Sequence, residues 1–243
     1  MTEMVGLGTV INTAAIVAGG VLGKLFGRFL SESAQETLTR VCGISTLFIA
    51  IAGALEGMMK VEGDSLTSGN ALLIICCLAL GSLIGEWLGI EDAFQRFGAW
   101  LKRKTGNERD AGFVNAFVTA SLTVCIGAMA IVGSIEDGIK GDYSILATKA
   151  VLDLIIITVM TGSLGKGCAF SAIPVAILQG TVTVLAGLLR PVMTAGALTN
   201  LSLIGSVLIF CVGVNLVWDR GLKVANMLPA LVLAVGAAFV PWF

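Results

Sequence analysis

Eight long apolar segments, separated by short polar stretches, make up most of the chain. A helix needs about 20 mostly apolar residues to cross the hydrocarbon core of a bilayer, and each segment meets that length. The pattern therefore predicts an all-α polytopic membrane protein with about eight transmembrane helices in one domain. The predicted spans are 4–23, 41–59, 70–90, 112–135, 145–165, 168–189, 198–218 and 224–243.

Composition supports a membrane protein and argues against several soluble classes. Of the 243 residues, 56% are hydrophobic and 13% are charged, about half of the roughly 25% charged residues that soluble domains carry. A net charge of −1 and the absence of histidine disfavour a nucleic-acid binder and a histidine-ligated zinc site. The six cysteines lie in apolar segments without a CxxC pair, so we interpret them as small hydrophobic residues. We expect no metal, no cofactor and no catalytic residues.

Positive charge predicts the orientation of the spans. Cytoplasmic loops of membrane proteins are rich in Lys and Arg, and 11 of the 15 such residues follow the first, third, fifth and seventh spans. This alternation places the N-terminus and the C-terminus outside. The polar stretch 91–111 begins with an amphipathic segment, which we expect to lie on the cytoplasmic surface.

The first three spans resemble the last three. Residues 11–22 align without gaps with residues 178–189, and Gly43 has a counterpart in Gly205. A shift of five spans makes equivalent helices antiparallel, as in the inverted repeats of many secondary transporters. We therefore predict one repeat over 4–90 and a second over 168–243, flanking a central helix pair at 112–165.

One ionisable residue lies near the centre of a predicted span. Asp153 occupies the middle of the fifth span, and Lys149 lies four residues earlier on the same helical face. An ionisable group at membrane depth costs about 2.5–3.5 kcal/mol on insertion scales and marks a functional site by default. Two interpretations stay open: an ion pair that orders the bundle, or a protonatable or cation-binding carboxylate in a translocation path.

Two amides occupy equivalent positions of the predicted repeat, Asn12 in the first span and Gln179 in the sixth. We interpret them either as ligand-binding groups at the midplane or as interhelical hydrogen bonds. Pro174 is expected to break the sixth span and free backbone carbonyls close to Ser171. These four residues join Lys149 and Asp153 as candidate substrate- or ion-binding residues.

Two further patterns concern charge and packing. Glu136 and Asp137 end the fourth span, either as an outer vestibule that gathers cations or as a solvated acidic turn. Two series of glycines spaced by four residues predict close helix packing within the bundle or across a homodimer. The series are Gly19, Gly23 and Gly27, and Gly81, Gly85 and Gly89.

Several motifs together carry a family resemblance. They are GTVIN at 8–12, GAMAIVGSIEDG at 127–138, KAVLD at 149–153, FSAIP at 170–174 and ANMLPA at 225–230. With them the chain resembles, over essentially its whole length, the bacterial integral-membrane family known as domain of unknown function 554. The resemblance implies a multi-pass protein of the inner membrane, and it implies no particular activity.

The preferred hypothesis is a small secondary transporter of an ion or small solute, coupled to protons or sodium, with its site near the midplane at the repeat interface. A channel built from the same pore is one alternative. An assembly or sensor protein that moves nothing is another. An intramembrane enzyme is disfavoured, because no nucleophile–base pair is visible. The expected partners are the lipid bilayer and a small solute or ion.

Overall fold

The computed structural model describes residues 5–62, 65–218 and 220–240, and nearly all of its regular structure is helical. The α-helices are α1 (Leu7–Gly27), α2 (Glu32–Met58), α3 (Ala71–Leu88), α4 (Ile90–Lys104), α5 (Phe113–Cys125), α6 (Ala128–Lys140), α7 (Ser144–Leu164), α8 (Ala172–Val184), α9 (Ala186–Leu189), α10 (Ala195–Trp218) and α11 (Pro229–Ala237). Two 3₁₀-helices, Lys166–Ser171 and Val224–Met227, precede α8 and α11. Strands β1 (Met59–Glu62) and β2 (Ser65–Ser68) form an antiparallel hairpin, in which Met59 pairs with Ser68.

The helices confirm an all-α polytopic membrane protein. In the part of the chain that the structure describes, six are long and apolar enough to cross a bilayer singly, namely α1, α2, α3, α7, α10 and the 3₁₀-helix with α8. A seventh span is formed only if α5 and α6, which are bent by 63° relative to each other, are taken together. The eighth predicted span corresponds to a shorter apolar helix, Val224–Ala237. Residues 4 and 241–243, which the predicted spans included, lie outside the described residues.

Contacts between Cα atoms divide the chain into two units. Unit 1 comprises residues 1–42 and 93–190, and unit 2 comprises residues 43–92 and 191–243. Helices α2 and α4 each contribute residues to both units.

In unit 1, helices α1 and α7 run parallel in close contact. A Cβ atom added to Gly8 would lie 2.7 Å from Leu146, and one added to Gly23 would lie 2.7 Å from Thr161. Because residue numbers rise together along both helices, the two helices run in the same direction. The absence of a side chain at these glycines is what lets the backbones approach so closely.

The fourth predicted span is broken between α5 and α6. Ile126 has extended backbone, with φ −81° and ψ 122°. Gly127 follows with φ 149° and ψ 147°, a conformation that glycine adopts far more readily than other residues. Helix α5 therefore ends inside the apolar segment, and its last carbonyl groups lack partners within a continuous helix.

The sixth predicted span differs from the expectation at its proline. Pro174 does not break a helix, because it lies in the first turn of α8, directly after the 3₁₀-helix Lys166–Ser171. Its missing N–H has no intrahelical acceptor to lose at that position, so proline is tolerated there. Pro229 starts α11 in the same way, after Val224–Met227.

In unit 2, helix α3 packs against the start of α11. Cβ atoms added to Gly81 and Gly85 would collide with the backbones of Ala230 and Asn226. Gly89 instead ends α3 in the left-handed conformation, with φ 62°. All of these glycines except Gly89 are thus covered within their own unit. A homodimer stays a prediction, and it would need surfaces other than these two.

Helix α4 coincides with most of the predicted amphipathic segment. Gly98 packs on the ring of Phe117 in α5, and the ring of Phe97 meets the same ring edge-on at 5.8 Å. Phe97 also stacks on Trp100 at 5.7 Å. The apolar face of α4 is therefore partly covered by α5, and its position at the cytoplasmic surface stays a prediction.

Candidate functional site

The centre of the candidate site is a buried ion pair in α7. Lys149 and Asp153 are only 7% and 3% exposed, and Lys149 Nζ donates a hydrogen bond to Asp153 Oδ2 at 2.5 Å. The same ammonium group donates to the carbonyl oxygen of Val124 at 2.9 Å. Val124 lies in the last turn of α5, and the break at Gly127 frees its carbonyl from a helical partner. The Lys149 ammonium group thus links the Asp153 carboxylate to the C-terminal end of α5.

Asn12 of α1 lies beside this pair. It is fully buried, and its side chain is close enough to interact electrostatically with the Asp153 carboxylate. Neither its Oδ1 nor its Nδ2 makes a hydrogen bond that meets ordinary geometry. A buried polar group without a partner costs about 1–3 kcal/mol. The amide is therefore placed next to an ionisable group at a cost in stability, which is typical of a binding site.

Gln179 is a second buried amide without a hydrogen-bond partner, and it lies on α8. It is 1% exposed, and both Oε1 and Nε2 lack a partner. Thr183, one turn later, also has an unpartnered buried hydroxyl, and its backbone carbonyl packs against Gly138 of α6. Ser171 adds a third unpartnered group at the end of the 3₁₀-helix. Gln179 and Thr183 therefore place unsatisfied polar groups one turn apart on α8, and Ser171 places another just before this helix.

The structure brings some of the predicted site residues together and keeps others apart. Lys149, Asp153 and Asn12 form one cluster, around the end of α5. Gln179 on α8 and Ser171 on the preceding 3₁₀-helix are buried in the same unit, on elements that both contact α1, but the Gln179 amide does not hydrogen-bond to Asn12. An open groove of about 560 Å³ runs along α1 and α8, and Thr9 lines it.

The two predicted vestibule residues have different positions. Asp137 does not face an open mouth: it is fully buried and accepts hydrogen bonds from the backbone N–H groups of Gly6 at 3.2 Å and Gly8 at 3.1 Å. Its carboxylate thereby caps the N-terminus of α1, where negative charge is favoured by the helix dipole. Glu136 is partly exposed and pairs with Lys140 at 2.5 Å. Only Glu136 retains the character of a surface charge.

Sequence reasoning missed the carbonyl of Val124 and the helix break beside it. Cys125, the last residue of α5, also lies within electrostatic reach of Lys149 and Asp153. The available signal was Gly127, which begins the GAMAIVGSIEDG motif. Glycine is common in close-packed membrane helices, so this residue indicated packing as readily as a break.

Unit 2 has a polar cluster of a different kind. Asn226 donates to Glu86 Oε2 at 2.6 Å and accepts from the backbone N–H of Glu91 at 2.7 Å. Lys223 donates to Glu86 Oε1 at 2.7 Å, and this hydrogen bond raises the pKa of the Lys223 ammonium above its ordinary value. Both the oxygen and the nitrogen of the Asn226 side chain therefore have partners. The cluster joins the end of α3 and the start of α4 to the 3₁₀-helix before α11.

Comparison with known proteins identifies the family. The family model for "Protein of unknown function (DUF554)" matches residues 7–239, so the chain belongs to this family, as its motifs predicted. The chain is 29% identical to the uncharacterized protein YqgA of Escherichia coli (strain K12), over 98% of this chain and 99% of that protein. It is 28% identical to the uncharacterized membrane protein YdfK of Bacillus subtilis (strain 168), over 96% of each. No solved structure matches the chain.

Proposed function

We propose that this member of the DUF554 family is a small secondary transporter of an ion or small solute. The observation that carries the proposal is the Lys149–Asp153 pair held against the freed carbonyl of Val124 at the break between α5 and α6. Secondary transporters commonly bind substrate and coupling ion where helices are interrupted in mid-membrane and expose backbone groups. The pair, the break and the buried amides of unit 1 all belong to that arrangement.

A purely structural ion pair accounts for less of the site. An ordering pair requires neither a helix that ends beside it nor an unpartnered amide next to its carboxylate. In hydrocarbon, polar groups without partners are costly, so their retention in Asn12 and Gln179 favours a polar occupant. In this proposal the two amides bind the solute, and Asp153 carries the charge that couples its movement to protons or sodium.

The proposal also includes the membrane arrangement. Both termini lie outside the cell membrane, as the Lys and Arg distribution predicts. Helices α1 and α8 are the equivalent members of an inverted repeat, which relates Asn12 to Gln179 by a pseudo-two-fold axis. An accessibility map of single cysteines introduced near each terminus of the chain would test this orientation.

The experiment is a flux assay in proteoliposomes that contain the full chain and a pH-sensitive dye. Ions, amino acids and organic acids are added singly, with and without a sodium gradient. We expect at least one solute to drive a saturable change of internal pH or sodium that Asp153→Asn abolishes. The matched control is Asp142→Asn, which removes an exposed loop carboxylate and should leave flux unchanged.

Two results would contradict the proposal. Equal flux in wild type and Asp153→Asn would remove the carboxylate from the mechanism. The absence of solute-dependent flux across the whole panel would favour an assembly or sensor protein. Flux that stays linear in solute concentration, without saturation, would instead indicate a channel.

A further inference from the structure

The ammonium group of Lys149 fills a position that a metal cation could occupy. We propose that Asp153 Oδ2, the carbonyl oxygen of Val124 and the side-chain oxygen of Asn12 form a binding site for a monovalent cation of the Na⁺ class, and that Lys149 occupies this site when the cation is absent. This cation would be the coupling ion of the proposed transporter, so its role in transport rests on the proposed function. Binding of the cation depends on these residues alone.

The ligands around the ammonium group are those of a cation site. Lys149 Nζ contacts a carboxylate oxygen at 2.5 Å and a main-chain carbonyl oxygen at 2.9 Å. Oxygens of these two kinds are the ligands that hard cations prefer. The carbonyl is available only because α5 ends at Cys125, one residue after Val124.

Asn12 supplies the group that the ion pair leaves unused. Its oxygen and its nitrogen both lack a hydrogen bond of ordinary geometry, although the side chain is fully buried and the amide interacts with the Asp153 carboxylate. Rotation of the amide about its last side-chain bond can turn the oxygen, instead of the N–H group, toward a cation bound beside that carboxylate. A cation that replaces the ammonium group would give this oxygen a ligand role. The unpartnered amide is therefore an independent indication of an occupant at this position.

The charge of the site favours a monovalent ion. Asp153 is the only carboxylate at the pair among the described residues, and they contain no group of three or more His, Cys, Asp or Glu side chains suited to a metal. A divalent cation would leave the buried site with excess positive charge, at a large desolvation cost. One carboxylate matches one positive charge, so Lys149 and the cation exclude each other.

Lys149 is suited to act as a resident competitor. A lysine carries a compact point charge on a flexible four-carbon stem, so its ammonium group can withdraw from Asp153 when a cation enters. Exchange of this kind would hold the buried carboxylate neutralised in both states. A carboxylate left alone at this depth would be strongly destabilising.

The test uses Lys149→Met, which removes the ammonium group and keeps a similar side-chain volume. The full-length variant is purified in detergent, and its thermal midpoint is measured in NaCl, KCl and LiCl against N-methylglucamine chloride at equal ionic strength. We expect a saturable rise of about 5–10 °C at about 100-fold excess over the dissociation constant. Wild type should respond less and at higher concentration, because its lysine competes with the cation.

Three further variants make the result specific. Lys149→Met combined with Asp153→Asn should lose the cation response. Asn12→Leu in the Lys149→Met background should weaken the cation affinity about 10-fold, as expected for an ancillary ligand. Lys140→Met is the matched control, since it breaks an exposed pair of the same spacing, with Glu136, and should show no cation-specific response.

The inference is overturned if Lys149→Met responds to cations no more than the double variant does. It is also overturned if Lys149→Met cannot be recovered in any of the three salts while the double variant folds, because a bound cation should substitute for the ammonium group. Saturable binding of radioactive sodium to Lys149→Met gives a readout that does not depend on unfolding. Cation binding without flux would support this site and refute the transport function. Asp153-dependent flux without a cation response would support transport and refute the cation site.

Discussion

Units 1 and 2 pack their helices in similar ways, but they differ in the number of their buried polar groups and in whether these groups have hydrogen-bond partners. Both use glycines to bring helix backbones into contact. Of the twelve buried polar or charged residues in the described chain, eleven belong to unit 1, and Asn226 is the single one in unit 2. Among the described residues, the eight buried side-chain atoms without a partner all lie in unit 1 as well, whereas Asn226 is bonded at both ends.

This difference agrees with the proposal that the functional site lies in unit 1. Each unsatisfied buried group costs about 1–3 kcal/mol, a large amount against the 5–15 kcal/mol that typically stabilises a folded protein. Local rules of stability are usually broken at functional sites and compensated elsewhere. The contrast therefore predicts that substitutions with the same chemistry will have different consequences in the two units.

The largest effect is expected from breaking the buried ion pair of unit 1. In a buffer without alkali cations, Lys149→Met leaves the Asp153 carboxylate buried and unpaired, which should destabilise the protein by about 3–5 kcal/mol. Adding Asp153→Asn should restore most of this loss, because no buried charge remains. Thermal unfolding of the purified variants measures both changes. A double variant as unstable as Lys149→Met alone would contradict the buried-charge explanation.

The next effect concerns the glycine contacts that the two units share. Gly20→Ala places a methyl group against Ala169 in unit 1, and Gly85→Ala places one against the Asn226 carbonyl in unit 2. Overpacking of this kind typically costs about 1–3 kcal/mol, and we expect a similar loss of unfolding free energy in both.

The matched controls for these glycines are Gly180→Ala in unit 1 and Gly236→Ala in unit 2, since a Cβ atom at either meets no neighbour within 4 Å. Each control should be neutral or slightly stabilising. Equal losses in the tested and control variants would mean that close approach is not what these glycines provide.

The two buried asparagines should give opposite signs. Asn12→Leu removes an amide that makes no hydrogen bond of ordinary geometry but interacts with the Asp153 carboxylate, so we expect the unfolding free energy to rise by no more than about 1–3 kcal/mol. Asn226→Leu removes hydrogen bonds to Glu86 and Glu91 and should cost a similar amount. The measurement is the thermal midpoint of each variant, with flux for Asn12→Leu, which should fall. Destabilisation of both variants to the same extent would remove the distinction between the units.

The parts of this structure that sequence could predict are those with local causes. The spans follow from runs of apolar residues, and the Lys149–Asp153 pair follows from its spacing of four residues in α7. Asp137 could not be placed, because its partner Gly8 is 129 residues away and no local pattern marks the contact. Likewise, the hydrogen bond between Asn226 and Glu86 joins residues that are 140 positions apart.

The two residue types that commonly break helices show the same limit. Pro174 and Gly127 are both residues that end helices, yet only Gly127 does so here. A helix can begin with a proline in its first turn. Pro174 has that position because the 3₁₀-helix Lys166–Ser171 ends just before α8, and the sequence does not show where that boundary lies. Gly127 takes up a conformation open mainly to glycine, which the sequence permits but does not require.

The smallest effect is expected at Asp142, an exposed carboxylate of unit 1 whose hydrogen bonds go to a residue two positions later in the chain. Its Oδ1 accepts hydrogen bonds from the backbone N–H of Ser144 at 2.9 Å and from the Ser144 hydroxyl at 2.5 Å, just where α7 begins. These bonds lower the pKa of Asp142 below its ordinary value of 3.8. A carboxyl group whose pKa is lower in the folded state stabilises the protein above its unfolded pKa, and this contribution disappears as the pH falls through the folded pKa.

Asp142→Asn should therefore lower the thermal midpoint slightly near neutral pH, and the difference from wild type should shrink as the pH falls below the ordinary aspartate range. Solvent screening keeps the effect small. Midpoints of the two proteins, measured across this acid range, provide the test, and a difference that stays constant at every pH would contradict it. The pH dependence of Asp142 would then show how little an exposed carboxylate with local hydrogen bonds contributes beside the buried one at Asp153, although both lie on or next to the same helix.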